Sequence, residues 1–410
     1  MKTGIIPMTQ SGAILGRPGQ YKSPPFLMLP GNPVLEEVTL YDFNYEVENK
    51  PLEVVPYQVK AYTFYCDSIA WDGMDDTLDT SGDGTPGKPW RNVNHALHEL
   101  QCIINTFCCG YIQLKIKGTI NYAIKEYIDG KNKFIMAPWE NASIDIDLFN
   151  MNNGIRNISG SILIGFNVHI YWDVNQIKNV LYIEAFIIDR SQLYSCNANL
   201  EIEINTEVCP GNEVTGFDGS NNILYQCNSN TKNSFTQNYD VYNGGVNTIG
   251  YEGYNSCHYY YCSAKLNSVF KAVNQLVFSE CYGFVKAKVA ICCSADVTGY
   301  CEISNIGYPY AEVYGFYYGD TFYNCVANVN AIAISAYHEI NIDAYGFYRF
   351  NNCLECNANM NYQSKYVPDS DGTYWFTERV CGFMDYESNC YDPCHLLIHD
   401  GGITTDYCNS

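Results

Sequence analysis

The sequence predicts an all-β solenoid built from stacked coils of about 31 residues. Three observations predict it: a cysteine recurs at that period, a tyrosine recurs with it, and residue types alternate every two positions around each cysteine. The composition agrees, because 37 Tyr, 19 Phe and 47% hydrophobic residues are typical of ordered β-structure.

Seven cysteines recur along the second half of the chain at spacings of 31, 35, 31, 32, 31 and 34 residues: Cys196, Cys227, Cys262, Cys293, Cys325, Cys356 and Cys390. Five of them begin the pattern Cys-x-Ala-x-apolar. Because alternate side chains of a strand point to opposite faces, the Cys, Ala and apolar residues share one face. Copies stacked in parallel would bury that face in one core, with Asn ladders at the turns. We expect the cysteines to pack there; disulfides and a metal site are the alternatives.

A second marker, a tyrosine, lies 11 residues before four of these cysteines, at Tyr251, Tyr282, Tyr314 and Tyr345. Three of the four copies begin the sequence Tyr-Gly-Phe. We expect this glycine to occupy a turn that requires positive φ. Two markers that keep one period indicate a true structural repeat.

The segment from Tyr62 to about Gly118 has a different pattern. An Asp-Gly-rich turn at residues 82–90 precedes a helical stretch from Val93 to Leu100, and a strand follows from Tyr111 to Ile116. This order resembles the entry segment of the pectate-lyase-like right-handed parallel β-helix superfamily, of the kind used in phage tailspikes and fibres. The resemblance covers roughly residues 60 to 400 and implies a right-handed parallel β-helix whose open end is covered by a short helix.

The first 60 residues contain eight of the 15 prolines and predict an extended N-terminal arm. We therefore predict four regions: an anchoring arm at residues 1–60, an entry segment with a capping helix at 61–120, the β-helix at 121–393 and a C-terminal tail at 394–410. Such an arm either contacts a partner or packs along its own solenoid, and we expect the first.

The charge and the N-terminus exclude several classes of function. A formal charge of −21, with 23 basic residues scattered among 44 acidic ones, argues against nucleic acid as a partner. No apolar run is long enough to insert in a membrane. The N-terminus also lacks the pattern of a secretory signal, so export by that route is not expected.

No catalytic constellation, cofactor-binding motif or metal cluster is recognisable, because the outward positions of the repeats hold few carboxylates and no Gly-rich phosphate loop is present. The outward positions offer aromatic residues. Tyrosine beside Asn and Asp binds sugar rings or packs against an identical subunit, whereas core packing is the alternative for each ring. The candidate glycan or partner contacts are Tyr259, Tyr261, Tyr308, Tyr310, Tyr317, Tyr318, Tyr374 and Trp375.

These observations favour a structural and binding component of a virus particle: a phage fibre, spike or decoration protein. It would assemble in the host cytoplasm, bind other virion proteins through residues 1–60, and act outside the cell by contacting a host glycan or receptor. The resemblance implies a homotrimer. One alternative is a polysaccharide lyase or glycoside hydrolase of the same fold, a capsule depolymerase, which two acidic residues meeting in a surface groove would favour. Another is a bacterial surface adhesin or filament subunit.

Overall fold

The computed structural model describes residues 33–44, 53–70, 80–107, 110–140, 143–175, 180–206, 211–237, 244–273, 277–304, 307–335, 339–366, 375–384 and 390–391. It confirms the predicted fold class. These residues form a β-solenoid of about seven turns with a repeat of about 31 residues, and they include one helix.

Two sheets make up the solenoid, and their strands are numbered together in chain order. The first sheet contains β1 Val34–Asn44, β2 Glu53–Ser68, β3 Tyr111–Gly118, β4 Ile128–Pro138, β6 Asn153–Ile164, β8 Leu181–Asp189, β9 Gln192–Tyr194, β11 Gly211–Ser220, β12 Ile223–Tyr225, β14 Gly244–Tyr260, β16 Val277–Ile291, β18 Pro309–Tyr323, β20 Glu339–Leu354, β22 Trp375–Met384 and β23 Cys390–Tyr391. The second contains β5 Ile144–Phe149, β7 Phe166–Asn175, β10 Asn197–Thr206, β13 Asn228–Gln237, β15 Ser263–Ala272, β17 Ser294–Ile303, β19 Val326–Ser335 and β21 Asn357–Tyr366. Neighbouring strands pair in parallel, except that β1 pairs with β2, and β22 with β23, in antiparallel fashion.

Each coil has three sides separated by two corners. In β16 the strand bends at Lys286, whose φ is 55°, and Cys292, whose φ is 53°, then turns the chain into β17. We call face A the outer surface of β8, β11, β22 and the parts of β14, β16, β18 and β20 before the first corner. Face B is the outer surface between the corners, and face C is the outer surface of the second sheet. The next two coils place left-handed residues at the same two corners: Tyr318, Asn324, Arg349 and Glu355.

The predicted cysteine column is confirmed for six of its seven members. Cys196, Cys227, Cys262, Cys293, Cys325 and Cys356 are free thiols, and all are at most 1% exposed in the main core. Their thiols donate weak hydrogen bonds to the preceding coil, as from Cys293 Sγ to the Tyr259 carbonyl at 3.4 Å. Cys390 does not continue the column, because it lies in β23, antiparallel to β22. Outside the column, Cys381 is disulfide-bonded.

A stack of aromatic rings runs through the core beside the cysteines. Seven rings from successive coils lie nearly parallel, with neighbouring centroids 4.6–5.1 Å apart: Phe186, Phe217, Tyr251, Phe284, Phe316, Phe347 and Phe383. Tyr251 therefore belongs to the phenylalanine column, and Ile249 is the register partner of Tyr282. The chain between Tyr251 and Cys262 is longer than in the next coil, so equal spacing from the cysteine did not give equal positions.

The glycine of Tyr-Gly-Phe is not in the positive-φ turn that the sequence suggested; it lies within a strand. A Cβ atom added to Gly315 would lie 2.6 Å from the Ala327 Cβ and 2.7 Å from the Gly346 carbonyl oxygen. Gly250, Gly283 and Gly346 face the alanine column of the opposite sheet in the same way. The motif requires glycine because the two sheets approach closely there.

A ladder of amide side chains runs along face C beside the corner that precedes β10 and β13. Asn197 Nδ2 donates to Asn167 Oδ1 at 2.6 Å, and Asn228 Nδ2 donates to Asn197 Oδ1 at 2.7 Å. This confirms the expected sharing of amide hydrogen bonds from coil to coil.

The predicted capping helix is present as α1, Val93–Thr106. Asn92 caps it, because its side-chain oxygen accepts a hydrogen bond from the His95 amide at 3.0 Å. Val93, Ala96 and Leu100 are completely buried against the first coils. The helix thus covers apolar surface at the N-terminal end of the solenoid.

The described part of the predicted arm forms a hairpin that packs on its own solenoid. β1 pairs with β2 from Val34 to Asn44, and Leu40 is completely buried beside residues of face B. The Phe43 ring stacks on Tyr260 at 4.8 Å and also contacts Tyr225. For these residues the second interpretation of the arm applies. Residues 1–32 and 45–52 of the arm, and the tail at 394–410, lie outside the described residues.

Phe43→Ala is expected to weaken the docking of this hairpin by about 2 kcal/mol, because a partly buried ring is removed from a tyrosine cluster. Hydrogen exchange of the β1 amides should accelerate, whereas Asp42→Ala, which removes an exposed neighbouring side chain, should leave it unchanged. Equal exchange rates in the two variants would contradict the packing described here.

Candidate functional site

Face A carries a row of carboxylates that the strand register brings together. Glu280 pairs in register with Glu312, and Glu312 with Asp343, in three successive coils. Glu213 lies two coils before Glu280, with Asn247 between them. Equivalent residues of neighbouring parallel strands lie about 4.8 Å apart. We call Glu213, Glu280, Glu312 and Asp343 the carboxylate column.

The alternation of β16 explains why these side chains point outward. Cys281 is completely buried in the core, so its neighbours Glu280 and Tyr282 lie on the outer side of the strand. The same alternation places Glu312 and Tyr314 outward in β18. Each coil therefore places a carboxylate two residues before a tyrosine on face A.

The tyrosines form a second column beside the carboxylates. The Tyr282 and Tyr314 rings stack at 5.2 Å, and Tyr314 and Tyr345 stack at 5.1 Å. Tyr317 and Tyr348 form a further stacked pair at 5.4 Å and pack against this column. Because the ring faces cover one another, little of these rings remains to stack on a ligand.

The tyrosine hydroxyls point toward the carboxylate column. Tyr310 Oη donates to Asp343 Oδ2 at 2.6 Å. The side chains of Tyr282, Tyr310 and Tyr314 all hydrogen-bond to Glu312. Face A therefore presents alternating hydrogen-bond donors and acceptors in register along three coils.

Burial and like charge shift the acid–base behaviour of the column. Burial, followed by the charges of Glu312 and Glu213, raises the pKa of Glu280 to about 7. Burial also raises the pKa of Glu312, and Asp343 adds to this, whereas hydrogen bonds from Tyr314 and Tyr282 oppose it. Glu280 can therefore gain or lose a proton near neutral pH.

A second group of carboxylates extends face A toward the N-terminal coils. Burial, then the charges of Glu252 and Glu184, raises the pKa of Asp218 to about 7. Glu252 also accepts a hydrogen bond from Tyr254 Oη at 2.5 Å. Few cations offset these charges in the described part of the chain. Arg379 Nη1 lies 3.9 Å from Asp343 Oδ2.

Beyond the first corner, the aromatic surface acquires a basic residue. The Arg349 guanidinium lies 5.1 Å from the ring centroids of both Tyr318 and Tyr348, and it donates a hydrogen bond to the Tyr318 hydroxyl. Lys288 forms an ion pair with Asp320. This corner is the most basic part of the surface next to face A.

The described residues contain no group of three or more His, Cys, Asp or Glu side chains arranged to hold a metal ion. In that same part of the chain, no helix combines the length and the apolarity that crossing a membrane requires. The chemistry available on face A is therefore hydrogen bonding to charged and hydroxyl groups, together with proton transfer by carboxylates.

The structure brings together some of the residues predicted from the sequence. Tyr310, Tyr317 and Tyr318 are partly buried on or beside face A. Tyr308 is 48% exposed just before β18, and Tyr261 is 44% exposed at the corner between faces B and C. Trp375 begins β22, but its side chain and Tyr374 lie outside the described residues.

One predicted contact residue is wrong. Tyr259 is 2% exposed and belongs to the main core, where its ring contacts Tyr251 and Phe284. It lies between outward-facing His258 and Tyr260 on a strand, so alternation turns it inward. A run of three tyrosines cannot place all three rings on the surface.

Sequence reasoning missed the carboxylate column, although a signal was present. The acidic residue precedes each Tyr-Gly-Phe by one intervening residue, as in Glu280, Glu312 and Asp343. Considered separately, these residues are ordinary surface charges. Their meaning depends on the register, which stacks them.

No protein-family model, curated protein or solved structure matches this chain. The resemblance to pectate-lyase-like proteins therefore stays a prediction, and face A is interpreted from its own chemistry.

Proposed function

We propose that this protein binds an extended glycan and that face A contacts it. The observation that carries the proposal is the registered row of carboxylates and tyrosine hydroxyls across β16, β18 and β20. Each coil repeats these groups about 4.8 Å further along the solenoid. A sugar polymer presents hydroxyl groups at regular intervals, so a repeating row of hydrogen-bonding groups suits it better than a single small molecule.

The charge of face A narrows the class of glycan. Glu280, Glu312 and Asp343 would repel a polymer of uronic or sialic acids, and the chain as a whole carries a charge of −21. Sugar hydroxyl and ammonium groups would instead donate charge-assisted hydrogen bonds to these carboxylates. We therefore expect neutral sugars or amino sugars as ligands.

The proposal extends to a virus particle as the setting. A fibre, spike or decoration protein needs a rigid element that presents a binding surface, and a parallel solenoid of about seven turns supplies one. The acidic charge and the proline-rich arm are consistent with this role. Anchoring through residues 1–60, a trimeric state and action outside the cell belong to the same proposal.

A glycan array probed with the full chain tests the binding function. We expect neutral or amino-sugar polymers to be retained and Glu312→Gln to weaken that binding about 10-fold, because one charged acceptor is lost. Glu201→Gln is the matched control, since Glu201 is an exposed carboxylate of face C that pairs with Lys232. Retention of no glycan would contradict the proposal, and equal loss in both variants would move the site away from face A.

A second candidate function is glycoside hydrolysis, favoured by the adjacency of Glu280 and Glu312. Retaining enzymes use two carboxyl groups about 5–5.5 Å apart, close to the spacing between neighbouring parallel strands. Glu280, whose pKa is raised to about 7, would protonate the leaving group. Glu312, which accepts the tyrosine hydrogen bonds, would act as the nucleophile.

Release of reducing ends from a bound polymer distinguishes hydrolysis from binding alone. Hydrolysis predicts that Glu280→Gln abolishes release while binding remains. A polymer that binds without any cleavage by the wild-type chain would leave binding as the function of face A.

A further inference from the structure

The corner between faces B and C holds two thiols in a single coil. Cys353 ends the inward column that contains Ala290 and Phe322 in the preceding coils. Cys356 follows it across Glu355, whose left-handed φ of 55° forms the corner. Both cysteines contact the main core, and both are in the reduced thiol form.

The two sulfur atoms lie close together but differ in access. The thiol of Cys356 is within hydrogen-bonding reach of the thiols of Cys353 and Cys325. Cys356 is 1% exposed, whereas Cys353 is partly exposed. Among the described residues, no strand pairs with the end of β20 on its C-terminal side, so the Cys353 side chain is accessible there.

The preceding coils lack this arrangement. Tyr259, Ala290 and Phe322 occupy the position of Cys353 in the three coils before it. In these three described coils, the column cysteine therefore has no second thiol at that position across the corner. The Cys-x-x-Cys spacing of the last corner joins an accessible thiol to a buried one.

We propose that Cys353 and Cys356 are a redox-active dithiol that closes to an intramolecular disulfide by exchange with low-molecular-weight disulfides such as oxidised glutathione. The Cys353 thiolate attacks one sulfur of the oxidant, forming a mixed disulfide and releasing one thiolate. The Cys356 thiolate then attacks the Cys353 sulfur and displaces the second thiolate. The dithiol loses two protons and two electrons, and the oxidant is reduced to two thiols.

The environment of Cys356 suits the second step. Hydrogen bonds from the Cys325 and Cys353 thiols lower its pKa, which favours the thiolate that resolves the mixed disulfide. The remaining column cysteines stay reduced, because they are buried and separated from solvent by the core. The disulfide would fasten the corner of the last complete coil after transfer from a reducing to an oxidising compartment.

Peptide mapping of the full chain tests the proposal. The reduced protein is equilibrated with mixtures of reduced and oxidised glutathione, blocked with an alkylating reagent, digested and weighed. We expect most molecules to yield a peptide that contains both cysteines, lacks the mass of two hydrogens and carries no alkyl group. A stable glutathione adduct on Cys353, a link to another cysteine, or complete alkylation of both thiols would overturn the proposal.

Two variants support the assignment. Cys353→Ala should abolish the disulfide, and alanine is already tolerated at this position as Ala290. Cys292→Ala removes another partly exposed thiol and should leave the disulfide unchanged. The result for the wild-type chain is decisive on its own if either variant fails to fold.

Discussion

Gly315→Ala is expected to destabilise the solenoid by roughly 3 kcal/mol, although it adds only one methyl group. The new Cβ would lie 2.6 Å from the Ala327 Cβ and 2.7 Å from the Gly346 carbonyl oxygen. The Gly346 contact is with backbone, so no side-chain rotation relieves it. The two sheets must separate locally, which also strains the stack formed by Phe316 and Phe347.

Gly245→Ala is the matched control within the first sheet. Atoms near a Cβ at Gly245 begin at 3.8 Å, an ordinary contact distance. Because glycine costs conformational entropy in a strand, this variant should be neutral or slightly stabilised. Unfolding by denaturant, followed by far-ultraviolet circular dichroism, measures both changes. Similar midpoints for the two variants would show that the sheets have more room than the structure indicates.

The repeat could be predicted from the sequence because a solenoid converts period into contact. Cys293 and Ala295 alternate inward as expected, and the six-member cysteine column follows from that local rule. The position of Tyr251 could not be obtained by counting, since the longer segment before Cys262 shifts the register. Insertions are accommodated by bulges and corners, and their placement depends on which rings stack in the core.

The carboxylate column shows a different limit of sequence reasoning. Whether Glu280 and Glu312 are separate surface charges or adjacent groups depends on strand pairing. Likewise, the glycine between Tyr314 and Phe316 suggests a turn when read locally, but the opposite sheet is what requires it. Properties that arise between coils can be predicted only after the register is known.

Glu280→Gln is expected to stabilise the protein at pH 8.5 by about 3 kcal/mol. In the folded chain, burial and the charges of Glu312 and Glu213 raise the pKa of Glu280 from 4.5 to about 7. The folded state therefore binds this proton more tightly than the unfolded state does. The wild-type chain should gain stability as the pH falls from above 7 toward 4.5 and lose it as the pH rises through 7.

Denaturant unfolding at several pH values between about 5.5 and 8.5 measures this linkage. The glutamine amide introduced by the substitution does not titrate, so the variant should lose most of the gain that the wild type shows on acidification. Glu201→Gln changes an exposed carboxylate of face C and should follow the wild-type profile. A Glu280→Gln variant that is less stable than wild type at the alkaline end of this range would mean that tyrosine hydrogen bonds satisfy the ionised carboxylate. Face A would then be a fixed anionic surface with no proton to donate, and the hydrolytic role of Glu280 would be excluded with it.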